Sequence, residues 1–102
     1  GLVENKQKVS NLLGLAQRAG KIISGEEMVV KAIQEQKAKL VFLAHDAAPN
    51  LTKKIQDKSH YYQVKVVTVF STLELSIAVG KSRKVLAVTD AGFTKKMRSL
   101  ME

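Results

Sequence analysis

The stretch Ser24–Ala44, SGEEMVVKAIQEQKAKLVFLA, decides how the chain folds. Ser24 and Glu27 have the spacing of a capping box, in which a hydroxyl and a carboxylate satisfy free amides at a helix start. Met28, Val29, Ala32 and Ile33 then recur with the period of one helix face, so a helix is predicted that ends near Gln36. Leu40–Ala44 is an unbroken apolar run too short for a helix and reads as a buried strand. A helix passing directly into a strand with no polar face is the repeating unit of an α/β domain.

The same alternation extends in both directions. Upstream, Val9, Leu12, Leu13 and Ala16 fit i, i+3, i+4, i+7 and predict an amphipathic helix stopped by Gly20. Lys21–Ile23 is a short extended segment. Downstream, Pro49 and Asn50 open a third helix with Leu51 and Ile55 facing inward. Val64–Phe70 (VKVVTVF) and Val85–Thr89 (VLAVT) are β-branched strands. Between them Ser71 and Glu74 form a second capping box for a helix that runs to Val79 and stops at Gly80. Phe93, Met97 and Leu100 mark a final helix. The expected architecture is a three-layer α-β-α sandwich with a central mixed four-stranded sheet, its strands too apolar for a solvated face. With one Pro, six Gly and no linker or repeat, residues 1–102 read as a single domain.

Composition narrows the function. Lys and Arg number 17 against 9 Asp and Glu, a net charge of +8, while 45% hydrophobic residues supply a core. A disordered basic tail is therefore excluded, and an anionic partner is favoured. With no Cys, disulfides and thiolate metal sites are ruled out, and the two His lack a pairing spacing. No apolar run approaches the roughly 20 residues of a membrane helix, and the first residues do not read as a signal peptide. A cytoplasmic monomer with no membrane, metal or cofactor is expected.

The usual catalytic signatures are missing. The chain has no GxGxxG, GxxxxGK[ST] or GxSxG. His45 and Asp46 follow a strand end, where α/β sites often lie, and a small enzyme could use them. The plainer reading has Asp46 bonding loop amides before Pro49, and His60 sitting on the surface. Two acidic residues at strand ends, Asp46 and Asp90, fall short of a receiver-type cluster. Five aromatics are few for a base-stacking platform.

The charge is not evenly spread. Lys53, Lys54 and Lys58 belong to the third helix, and Lys95, Lys96 and Arg98 to the last, where a solvated surface explains them. Lys81, Arg83 and Lys84 instead crowd a short loop with no nearby carboxylate, which suits phosphate contact. At the start of the second helix, flanked by Lys21 and Lys31, stand Glu26 and Glu27. Two readings apply there. In one, Glu27 closes the Ser24 box and pairs with Lys31 at i, i+4. In the other, the helix start enters an RNA groove, Glu27 accepts from base amino groups and Lys31 takes a phosphate.

Gly20–Pro49 (GKIISGEEMVVKAIQEQKAKLVFLAHDAAP) and Leu75–Gly92 (LSIAVGKSRKVLAVTDAG) together resemble the ribosomal protein L-seven-Ae/L-thirty-e family, and its bacterial YlxQ-like branch in particular. The resemblance covers nearly the whole chain. It implies an α-β-α sandwich that binds kink-turn RNA, a sharply bent duplex with a short bulge and tandem sheared G·A pairs, and it implies no enzymatic activity. By position it places Gly25, Glu26, Glu27, Met28 and Lys31 beside the G·A pairs. It places Val79, Gly80, Lys81, Ser82 and Arg83 over the bulge, with Asp46 to Pro49 and Thr52 bordering the same edge.

The mechanism so implied is recognition of shape with limited base reading. Gly25 admits close backbone approach. Lys21, Lys31 and Arg83 hold converging phosphates, and Val79 and the stem of Lys81 pack on bulged bases. The chain departs from many kink-turn binders in two places. Glu27-Met28 stands where they carry Asn-Glu, so that Glu27 only accepts and Met28 reads as core. Ser24 stands where they carry a basic residue. Ribosomal RNA is among the expected targets. A protein-interaction adaptor built on the same sandwich, its basic face meeting an acidic protein, is the alternative.

Overall fold

The computed structural model describes the backbone of residues 2–102 and the side chains from residue 5 onward. Five helices alternate with four strands: α1 (Leu2–Arg18), β1 (Ile22–Ser24), α2 (Glu26–Gln34), β2 (Leu40–Leu43), α3 (Pro49–Tyr61), β3 (Val66–Val67), α4 (Thr72–Val79), β4 (Val85–Val88) and α5 (Ala91–Met101). The sheet is mixed, in the order β1-β4-β2-β3. β4 lies antiparallel to both β1 and β2, and β2 and β3 are parallel.

Period-two alternation in the two central strands divides the core into two layers. Leu40, Phe42, Leu86 and Val88 meet Val9, Leu13 and Ala16 of α1, Leu75 and Val79 of α4, and Met97 of α5. Val41, Leu43, Val85 and Ala87 point the other way, against Val29, Ala32 and Ile33 of α2 and Ile55 of α3. Every residue of β2 and β4 is buried, as their unbroken apolar runs require. The three-layer α-β-α sandwich expected from the sequence is thereby formed. No helix among the described residues is long and apolar enough to cross a membrane.

Three local readings are corrected. The Ser24 capping box does not form: Ser24 is the last residue of β1, paired with Leu86, and Gly25 is the N-cap of α2, with no side-chain cap bond. Backbone pairing holds Ser24 in the strand, and its hydroxyl accepts from Arg83 Nε instead of from a helix amide. The Ser71–Glu74 box does form, Ser71 Oγ accepting from Glu74 N–H at 3.1 Å and Glu74 accepting from Ser71 N–H at 2.9 Å. The strand predicted over Val64–Phe70 contracts to Val66–Val67, an edge strand with Lys65 and Thr68 exposed on either side. Met28, read as core, is 54% exposed, because Val29, Ala32 and Ile33 already fill the buried face of α2.

Candidate functional site

Gly25 has φ +94° and ψ 150°, a backbone region open essentially to glycine alone. Its N–H donates to Val85 O at 3.2 Å, which ties the start of α2 to the start of β4. A Cβ built at Gly25 would meet nothing within 4 Å, so the space in front of the helix start is open. With no side-chain cap, the first-turn amides of α2 face that space with the positive end of the helix dipole.

The loop between α4 and β4 is fixed against this helix start. Gly80 leaves α4 in the left-handed conformation, φ +79°, and its N–H donates to Ser76 O at 2.8 Å. Ser76 Oγ accepts from Arg83 N–H at 3.0 Å while donating to Thr72 O at 2.7 Å. Arg83 Nε donates to Ser24 Oγ at 2.8 Å, and its Nη1 donates to Ser82 O at 2.7 Å. Ser24, lost as a helix cap, is thus what holds the guanidinium beside Gly25.

The result is a groove of about 510 Å³ walled by the start of α2 (Gly25, Glu26), the start of α3 (Asn50, Leu51) and the loop (Ser82, Arg83). Glu26 and Lys54 close an ion pair of 3.1 Å between α2 and α3. The expected Glu27–Lys31 pair is not formed. Both side chains are exposed, and among the described residues neither has an ion-pair partner. Neither Glu27 nor Lys31 lines the groove; both stand exposed on α2 beside it. Thr52 lies one turn into α3, where its hydroxyl reaches Ala47 O at 3.4 Å.

Gly80, Lys81 and Ser82 also border a second, shallower hollow of about 650 Å³ with Leu73 and Ile77 of α4. Leu73 and Ile77 are 69% and 71% exposed. Sequence reasoning missed them: the strongly apolar run TLELSIAV hides which of its residues point outward. Val79, expected at this surface, is 8% exposed and packs in the core of the α1 layer. Gly80 is where the chain turns outward, so the last helical residue before it still faces in.

Two further expectations change. Lys21 is not part of the groove. It precedes β1, whereas Gly25 follows it, so at ~3.3 Å per residue the two stand roughly 13 Å apart. Lys21 lies beside Thr89, whose N–H donates to the Lys21 carbonyl at 3.0 Å. Asp46 does not bond the amides before Pro49; it accepts from Thr72 N–H at 2.9 Å and Thr72 Oγ1 at 2.8 Å, capping the start of α4. These two Thr72 bonds hold its carboxyl below the usual carboxylate range. His45 beside it is exposed.

Fold and groove together define a class: small α-β-α domains that present a helix start and a basic loop at one end of the sheet. The chain belongs to the ribosomal protein L7Ae/L30e/S12e/Gadd45 family, whose profile matches residues 7–98. Within it the chain falls in the bacterial YlxQ-like branch. It is 50% identical over 98 residues to the RNA-binding protein YlxQ of Enterococcus faecium, covering 96% of this chain and 95% of that protein. The RNA-binding protein YlxQ of Bacillus subtilis (strain 168) is 49% identical over 92 residues, covering 89% and 92%. A solved protein with unknown function from Bacillus halodurans C superposes with a TM-score of 0.87 at 44% identity, covering 92% of this chain and 96% of its own.

Proposed function

We propose that this chain is a non-enzymatic RNA-binding protein whose target is a kink-turn, ribosomal RNA being among its sources, and that it acts as a cytoplasmic monomer. The observation that carries this reading is the 2.8 Å bond from Arg83 Nε to Ser24 Oγ, which sets a cation and an open helix start on one groove. Two relatives at about half identity bear the name RNA-binding protein.

In this reading the start of α2 enters the groove beside the G·A pairs. Gly25 lets the RNA come close, and the free amides of Glu26 and Glu27 add donors. Glu27 accepts from guanine N–H groups, Glu26 keeps α2 and α3 aligned through Lys54, and Lys31 and Arg83 take phosphates. Gly80, Lys81 and Ser82 cover the bulge. Leu73 and Ile77, with the stem of Lys81, supply the apolar floor for unstacked bases in place of Val79. Binding favours the bent RNA over its open form by differential affinity.

A gel-shift titration against a kink-turn duplex and a control with disrupted G·A pairs tests the proposal. Tighter binding to the intact kink-turn is expected; equal binding to both would remove kink-turn recognition.

A further inference from the structure

The end of the sheet opposite the groove carries a second set of cations. Val88, the last residue of β4, is flanked by Ile22 of β1 and Leu40 of β2. Lys21 and Lys39 come one residue before these, so they stand on either side of the β4 terminus, with Lys39 N–H donating to Val88 O at 2.7 Å. Two strand spacings put their Cα atoms roughly 10 Å apart. Lys95 and Arg98 share a face of α5 at i, i+3. With Lys39 they line a hollow of about 540 Å³.

All four side chains are exposed, and among the described residues none has an ion-pair partner. Glu102 is the one carboxylate in the hollow. Thr94, 8% exposed, also lines it, and its hydroxyl has no hydrogen-bond partner among the described residues. No aromatic or large aliphatic side chain lines the hollow, so it lacks the anchors on which protein partners depend. Long cations spread over the ends of three elements instead suit a row of phosphates.

We infer that Lys21, Lys39, Lys95 and Arg98 form a second RNA contact that binds the phosphate backbone of a duplex segment distinct from the one in the groove. The two contacts lie at opposite ends of β4, the groove beside Val85 and the cations beyond Val88, so each is open to its own segment. The protein then clamps two parts of one folded RNA. The second contact reads no sequence and depends steeply on salt.

The test uses a plain 20-base-pair RNA duplex, titrated onto the full chain alone and onto the chain saturated with a minimal kink-turn. The combined variant Lys21→Gln, Lys39→Gln, Lys95→Gln, Arg98→Gln is compared with wild type and with a charge-keeping control (Lys21→Arg, Lys39→Arg, Lys95→Arg). Melting temperatures verify folding. Wild type and control are expected to bind the duplex in both settings, giving a ternary complex in the second. The glutamine variant should bind the duplex at least roughly tenfold more weakly, with the slope of log K against log salt smaller by about 3 for four phosphates, while kink-turn affinity stays within about twofold.

Duplex binding that the four substitutions weaken by less than about tenfold, or wild type that binds no duplex, would overturn the inference. Binding of a poly-glutamate peptide in place of the duplex would reassign the face to acidic proteins. Because the duplex is also titrated alone, failure of kink-turn recognition is read separately.

Discussion

Arg83 and Ser24, far apart in the chain, meet through a single 2.8 Å hydrogen bond from guanidinium Nε to hydroxyl. The bond joins the loop before β4 to the strand that leads into α2, and among the described residues Arg83 Nη2 has no hydrogen-bond partner. Arg83→Ala is expected to weaken kink-turn binding and to lower the salt slope by about 0.7–0.9, one phosphate's worth. Ser24→Ala keeps the charge but frees the guanidinium, so it should weaken binding while leaving the slope intact. Titrations at several salt concentrations separate the two. An unchanged slope in Arg83→Ala would take this residue out of the phosphate contacts.

Gly25→Ala meets no steric obstacle, yet it forces an alanine into φ +94°. The expected cost is about 1–3 kcal/mol of stability, read from denaturant unfolding. If instead the helix start relaxes to a new φ, stability is spared and the change appears as lost RNA affinity. A variant unaltered in both respects would contradict the stated geometry.

Leu73→Ser and Ile77→Ser remove exposed apolar surface and no core. Melting temperature should hold within a few degrees, while affinity for a kink-turn with an unpaired bulge falls roughly tenfold or less, on the scale of ~1.5 kcal/mol for burying an aliphatic side chain. Val79→Ala should do the reverse, lowering stability by about 0.5–1.5 kcal/mol or more as a buried truncation. Comparing these variants by calorimetry and gel shift decides which side chains meet the bulge.

Glu74 accepts from Ser71 N–H and then from Lys6, and these contacts hold its carboxyl below the usual range. A depressed pKa contributes stability above the unfolded-state pKa and loses it as pH falls through the folded-state value. Glu74→Gln is therefore expected to be less stable than wild type at neutral pH, with the gap closing as the medium is acidified below the ordinary Glu range. Thermal melts over that pH range check this; a gap that widened in acid would reverse the sign.

Much of the fold was readable because β2 and β4 are continuous apolar runs with a single interpretation, and because Ser71–Glu74 is a local signal with a local outcome. Ser24–Glu27 had the same spacing, but pairing of Ser24 with Leu86 across the sheet overrode it. Tertiary pairing also shortened the third strand, where one neighbour on one side supports only Val66 and Val67. At the site, Gly25, Arg83 and the loop were accessible from charge and resemblance. Lys21 was misplaced because a three-residue strand separates it from the groove. Val79 was expected at the surface, and the exposure of Leu73 and Ile77 went unread, because a short, strongly apolar helix gives no outward signal until its neighbours are known.

β4 is paired on both sides and buried along its whole length. One of its ends receives the Arg83 loop, and the other passes through Thr89 beside Lys21 and Lys39. Paired and buried amides of this kind are expected to exchange with solvent only on global unfolding. The groove and the far basic face are therefore built on the two ends of one strand, so an event that strips β4 from the sheet removes the support of both together.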